Sequence, residues 1–191
     1  MGTLQRSLVI ETCEGQVAIF DEPTYSFGSA DNLRTYDTEI RLDSENLYSV
    51  HGVRTDGKWS AIFGAGGGPS TVHQHSAIEV DGRLYLAVGD QVICLNLVTG
   101  LKEWSRRVDL ATCFGVHWDC LHEALISHGE LQISRLPLTG DEIWSATGAD
   151  IFSGGFKCLG DGIEVIDFSR SVYLFDYRAG TLLTLAQQRA R

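Results

Sequence analysis

The sequence predicts an all-β fold: a small β-propeller-like array of four-stranded antiparallel blades, four in number or four with a partial fifth. Three observations point there. Thr99-Gly100, Thr139-Gly140 and Ala179-Gly180 recur every 40 residues, and Trp104 and Trp144 follow the first two at the same offset. Each period divides into short β-rich runs separated by glycine-containing turns, which is hairpin chemistry. No period holds the 10 to 12 residues with apolar spacing of three and four that a helix needs. Repetition of a four-stranded meander about an axis gives propeller blades, and each blade buries its faces against its neighbours.

From the amino terminus, Leu8-Val9-Ile10-Glu11-Thr12 and Gln16-Val17-Ala18-Ile19-Phe20 read as a hairpin through Cys13-Glu14-Gly15, additional to the four copies. It is expected to pair with Thr181-Leu182-Leu183-Thr184-Leu185 and so complete a fourth or partial fifth blade. A looser first copy ends at Asp56-Gly57. Gly64-Ala65-Gly66-Gly67-Gly68-Pro69 lacks the Gly-Lys-Ser/Thr of a phosphate loop and the βαβ context of a dinucleotide fold, and reads as a flexible inter-blade connection, a candidate hinge. The clearest copy runs Ala77–Val80, Asp81-Gly82, Leu84–Val88, Gly89-Asp90, Val92–Leu97, Thr99-Gly100 and Leu101–Val108. Asp81-Gly82 returns as Asp161-Gly162, Gly89-Asp90 as Gly129-Glu130, and Asn96 as Asp176. The whole chain, 1–191, is expected to form one domain, irregular over 1–68 and regular over 69–188.

Val92 to Trp104 resembles the quinoprotein-type (PQQ-like) β-propeller repeat, in which a strand ends in apolar-Asp/Asn-x-x-Thr-Gly and a tryptophan follows four residues after the glycine. Val172 to Gly180 repeats the strand and turn with Thr184 at the tryptophan place, and Leu131 to Trp144 keeps Thr139-Gly140 and Trp144 with Leu136 in place of Asp/Asn. The resemblance covers roughly residues 76 to 185 and implies architecture, as in WD40-like arrays. The quinone-dependent members are larger and hold their cofactor over adjacent cysteines and a calcium ion. This chain has no adjacent cysteine pair, and no cofactor is expected.

A formal charge of −10, with Arg106-Arg107 the only basic pair of note, argues against nucleic acid or an anionic membrane as partner. No apolar run is long enough to span a bilayer, and the first residues lack a signal-peptide pattern. Five cysteines without a C-x-x-C pair suit neither a disulfide framework nor a zinc ribbon, so reduced thiols in a soluble cytoplasmic protein are expected. Cys94, Cys120 and Cys158 read as small core residues.

Equivalent positions of successive blades share one face of a propeller, so the segments entering each blade, near residues 69–76, 109–116 and 150–156, form a mouth. The candidate ligand- or partner-binding residues there are His73, His75, Asp109, Cys113, His117, Asp150 and Ser153. The expected activity is a non-enzymatic interaction or ligand-binding module for a protein or small ligand, with a homodimer among its assemblies. Two alternatives accompany it. One is a metal-dependent enzyme using His73, His75, Cys113 and His117, supported by the run of Cys113, His117, Cys120 and His122. The other is an acidic immunity or inhibitor protein directed at a basic enzyme. A thiol nucleophile, Cys113 with His73 or His117 and Asp109, can also be assembled on paper. No residue is assigned as catalytic or as a metal ligand.

Overall fold

The computed structural model describes residues 7–42 and 45–184, and within them every regular element is a strand. β1 (Ser7–Thr12), β2 (Gly15–Asp21), β3 (Thr38–Leu42), β4 (Ser49–Thr55) and β5 (Ser60–Ala65) form the first sheet, in spatial order β1-β2-β4-β5-β3. β6 (Ala77–Val80), β7 (Arg83–Val88), β8 (Gln91–Asn96) and β9 (Lys102–Arg107) form the second as a simple meander. β10 (Cys113–Asp119), β11 (Ala124–Gly129), β12 (Gln132–Leu136) and β13 (Trp144–Thr147) form the third in the same way. β14 (Phe156–Leu159), β15 (Gly162–Ile166) and β16 (Val172–Asp176) form the fourth, which Leu182 extends through an isolated bridge to Phe175. The period of 40 is thus one sheet per copy.

The amino-terminal hairpin corrects the expectation. It is neither a fifth unit nor the closing piece of the fourth sheet, because β2 pairs with β4 from Val17↔Thr55 to Asp21↔His51 and supplies, with β1, the inner half of the first sheet. The reason lies in its alternation: Val17 and Ile19, with Leu8 and Ile10 opposite, bury against the second sheet's Leu84, Leu86 and Ile93. Leu185, at the end of the expected partner segment, lies outside the described residues.

The loop from 22 to 37 crosses the outer face of this first sheet, which lets β3 pair with β5 in parallel. Buried Glu22 holds the crossing by accepting hydrogen bonds from Arg34 Nη1 (2.9 Å) and Tyr36 Oη (2.7 Å). Arg34 lies over the Phe20 ring at 4.6 Å and Arg54 over Tyr36 at 5.2 Å, so the strap covers apolar surface with aromatic and guanidinium planes.

Three apolar clusters join consecutive sheets. The first includes Ile19, Val53 and Phe63 with Leu84, Ile93 and Leu95. The second joins Tyr85, Val92 and Cys94 to Val116, Leu125 and Leu136. The third joins Ile126, Ile133 and Trp144 to Ile163, Val165 and Phe175. Among the described residues no such cluster joins the fourth sheet to the first.

One device is built three times at these junctions. Trp59 Nε1 donates to Leu97 O (2.8 Å), Trp104 Nε1 to Leu138 O (3.0 Å) and Trp144 Nε1 to Tyr177 O (2.9 Å), each reaching the next sheet. The indoles lie against Gly100, Gly140 and Gly180, whose φ values are +73°, +85° and +67°. Glycine is needed there twice over, for the left-handed backbone and for space that a Cβ would take from the indole. The Asn96 and Asp176 carboxamide and carboxylate close their turns by accepting from the backbone N–H of Val98 and Thr99, and of Arg178 and Ala179.

The glycine-rich connection is also corrected: Gly64 and Ala65 end β5, and Gly66–Gly68 are pinned rather than loose. Gly68 N donates to Ala111 O (3.0 Å), and Gly67, at φ +73°, sits where any Cβ would strike Ala111 O and Asp90. These glycines serve close approach between sheets.

Candidate functional site

The inner strand β6 lies between β1 and β10, and the segment that leads into β6 is bonded to β10. Val116 N donates to His75 O (2.9 Å), and His73 Nε2 donates to Phe114 O (2.7 Å) while His73 Nδ1 accepts from the backbone N–H of His75 (3.2 Å). Both nitrogens of His73 are therefore spent on backbone. The approach is allowed by Gly115, at a register shift in β10, where a Cβ would come within 2.8 Å of His75 O.

This junction opens a cleft of about 310 Å³ lined by His73, His75, Phe114, His117, His128 and Phe156, with Gly115 and Gly154. A row of rings crosses it. His75 and His117 have centroids 4.6 Å apart, His117 and Phe156 stack at 4.4 Å, and Phe156 and His128 stack at 4.8 Å. The row joins the second sheet's entry segment, the third sheet and the fourth sheet.

Burial sets its charge. Desolvation, reinforced by the neighbouring imidazoles His75, His128 and His73, lowers the His117 pKa to about 3. Desolvation lowers that of His128 to about 4 against the opposing hydrogen bond to Phe152 O, and lowers that of His75 with help from His73. No lining residue is acidic or basic apart from these imidazoles, so at neutral pH the site is aromatic, uncharged and hydrogen-bonding.

His73, His75 and His117 are thus brought together. The other four expected residues are placed elsewhere. Cys113 is 1% exposed, its thiol turned to Gly115 O, and burial pushes its pKa up to about 12, which removes the thiolate a nucleophile needs. Asp109 is buried and spends its carboxylate on structure: Oδ1 accepts from Ala111 N (2.6 Å) and Oδ2 from Leu131 N (2.9 Å) and Gln132 N (2.7 Å), tying the second sheet to the β11–β12 turn. Asp150 accepts from Ile151 N (2.8 Å) and Ser169 Oγ (2.7 Å), and these hydrogen bonds lower its pKa. Ser153 lines a neighbouring hollow with Ile166, Asp167, Phe168 and Arg170.

The run Cys113-His117-Cys120-His122 does not converge. His122 sits beyond the far end of β10, with Nδ1 2.8 Å from Asp119 Oδ2 and its ring stacked on Tyr177 at 4.0 Å. Among the described residues no three His, Cys, Asp or Glu side chains form a group able to hold a metal ion. Cys94 is buried as expected, whereas Cys120 and Cys158 are exposed.

Phe114, His128 and Phe156 are the cleft residues that sequence reasoning missed. Their signal was present but unspecific: each stands in or beside a β-run where an aromatic is more often core, and only the register of three sheets shows that these rings meet.

No family model and no curated protein matches this chain. Among solved structures it is similar to BamB from Moraxella catarrhalis, at 16% identity and a TM-score of 0.50, over 96% of this chain and 73% of that one. It also matches a computationally designed protein, Ika4, at 12% identity and TM-score 0.49, over 59% of this chain and 73% of that one. A europium-containing methanol dehydrogenase matches at 16% identity and TM-score 0.45, over 57% of this chain and 23% of that one. The likeness to BamB is one of fold, and with the sheet order above it makes this chain an all-β, β-propeller-like array.

Proposed function

We propose that this chain is a non-enzymatic binding module whose site is the cleft lined by His75, His117, His128, Phe114 and Phe156. The observation that carries the reading is the continuous row of four rings in an uncharged cleft where three sheets meet. A flat, uncharged group gains contact with ring surface there and loses little by leaving water. It is either a small ligand or a side chain of a partner protein. The candidate nucleophile and carboxylates are already committed to burial or to backbone hydrogen bonds, which favours binding over catalysis.

The test is a titration of the full, isotope-labelled chain with 2-naphthalenemethanol, followed by amide and imidazole chemical shifts. Saturable changes centred on His75, Gly115, His117 and Phe156 are expected. Changes scattered over the surface, or confined to another sheet junction, contradict the reading.

The charge of −10 favours a second reading, a basic protein as partner. Its signature is an association rate that falls steeply as salt is raised.

A further inference from the structure

Resting on the cleft reading, we infer that the ligand of the cleft is a neutral, flat nitrogen heterocycle that both donates and accepts a hydrogen bond at its ring edge, and that His117 selects it. The observation is a set of imidazole nitrogens left without partners in the hollow that His75, His117 and His128 line with Phe114 and Phe156.

The hydrogen bonds of the four imidazoles fix which nitrogens are spent. His73 uses both on backbone. His128 donates Nε2–H to Phe152 O (3.2 Å), since a carbonyl can only accept, and this leaves its Nδ1 an acceptor. His75 Nε2 accepts from Gln74 Nε2 (2.9 Å), which places the proton of the neutral ring on Nδ1 as a donor. Among the described residues His117 makes no hydrogen bond through either nitrogen; its ring is fixed by stacking, against His75 at 4.6 Å and Phe156 at 4.4 Å. None of these unbonded nitrogens is sealed in the protein, so each can be reached by a molecule in the hollow that the rings line.

The site therefore reads hydrogen bonds rather than charge. Desolvation keeps His117, His128 and His75 uncharged at neutral pH, so His117 offers one donor and one acceptor beside a His75 donor, and His128 adds a second acceptor. A hydrocarbon ring in the hollow takes water from these nitrogens and returns no hydrogen bond, whereas a ring N–H and a ring nitrogen replace what is lost. With no lysine, arginine or carboxylate in the lining, a phosphate or ammonium group finds no counter-charge. The class that fits is a bare bicyclic heterocycle of the nucleobase or azaindole kind, without a phosphate.

The experiment compares three matched probes on the full, isotope-labelled chain at neutral pH: 7-azaindole, which donates and accepts, indole, which only donates, and 1-methyl-7-azaindole, which only accepts. One additional neutral hydrogen bond changes affinity about fivefold, so 7-azaindole is expected to bind about fivefold or more tightly than either of the others. It should also move the His117 ring-nitrogen resonances, a readout that needs no substitution. In His117→Phe, which keeps a ring in the row, the preference for 7-azaindole over indole should fall below about twofold. Equal affinities for the three probes, His117 nitrogens that do not move, or an unchanged preference in His117→Phe overturns this inference, and 2-naphthalenemethanol shifts at the cleft then leave the cleft reading standing. Failure of 2-naphthalenemethanol and all three heterocycles to shift the cleft resonances overturns both.

Discussion

The indole of Trp104 lies flat against Gly140, one copy further along the chain, and its N–H reaches past that glycine to Leu138 O at 3.0 Å. The same relation joins Trp59 to Gly100 and Trp144 to Gly180, so the repeated glycine and the repeated tryptophan are the two halves of one inter-sheet joint. Gly140→Ala combines a left-handed backbone with a Cβ 2.6 Å from the Trp104 ring, and should cost about 2–4 kcal/mol in urea unfolding. Trp104→Phe removes the N–H bond but keeps ring packing, and should cost about 1–2 kcal/mol. The two losses should add to less than their sum, because each breaks the same joint.

Asp109→Asn should destabilise the chain by about 1–3 kcal/mol although the replacement is almost the same shape. Oδ2 accepts from both Leu131 N and Gln132 N, and an amide turned to keep one oxygen on that side abandons Ala111 N on the other. The loss should be read from the denaturation midpoint, with 2-naphthalenemethanol shifts retained at the cleft.

Stability should fall on acidification between pH 6.5 and about 4. Three histidines, the buried His51 and the half-buried His128 and His117, have folded pKa values below the ordinary 6.5: His51 about 4, His128 about 4 and His117 about 3, each lowered first by desolvation. The unfolded chain takes up these protons first, so stability present above pH 6.5 is lost as pH drops, at up to about 1.4 kcal/mol per pH unit for each imidazole. Replacing His117 by Phe should flatten the slope of the melting temperature against pH. An unchanged slope argues against an uncharged, desolvated His117.

Thiol labelling should divide the cysteines. Cys13, Cys120 and Cys158 are exposed and should react in the native state, while Cys94 and Cys113 should wait for unfolding. Although the Cys158 residue is exposed overall, desolvation around its thiol and the Asp119 charge push its pKa up to about 11, so it should react slowly at neutral pH. Mass spectrometry of a timed iodoacetamide reaction gives the order directly.

The regular sheets were legible because their turns are local. Asp81-Gly82, Gly89-Asp90 and Thr99-Gly100 bound β6 to β9 to within a residue or two, since each turn demands residues that the chain states outright. The first sheet was less so. Its inner hairpin and its fourth and fifth strands are separated by the strap from 22 to 37, and β3 joins β5 in parallel, a pairing no hairpin signal announces. Trp59 escaped notice because it follows Gly57 by two residues rather than four. In the site, His73, His75 and His117 were found from the expected mouth, while Asp109 and Cys113 shared its neighbourhood in sequence and turned inward. Which way a side chain turns depends on β10's register shift at Gly115, which is a tertiary fact.

The most direct measurement of the account is a nuclear Overhauser spectrum of the full chain with the tryptophan indole N–H and glycine α protons assigned. Like sheets stacked in order require cross-peaks, or relayed contacts within about 5 Å, from Trp59 to Gly100, Trp104 to Gly140 and Trp144 to Gly180, with those α protons shifted by the ring currents. Tryptophans that instead contact the glycine of their own repeat, Trp104 with Gly100 and Trp144 with Gly140, would contradict the stacking and with it the cleft that the stacking creates.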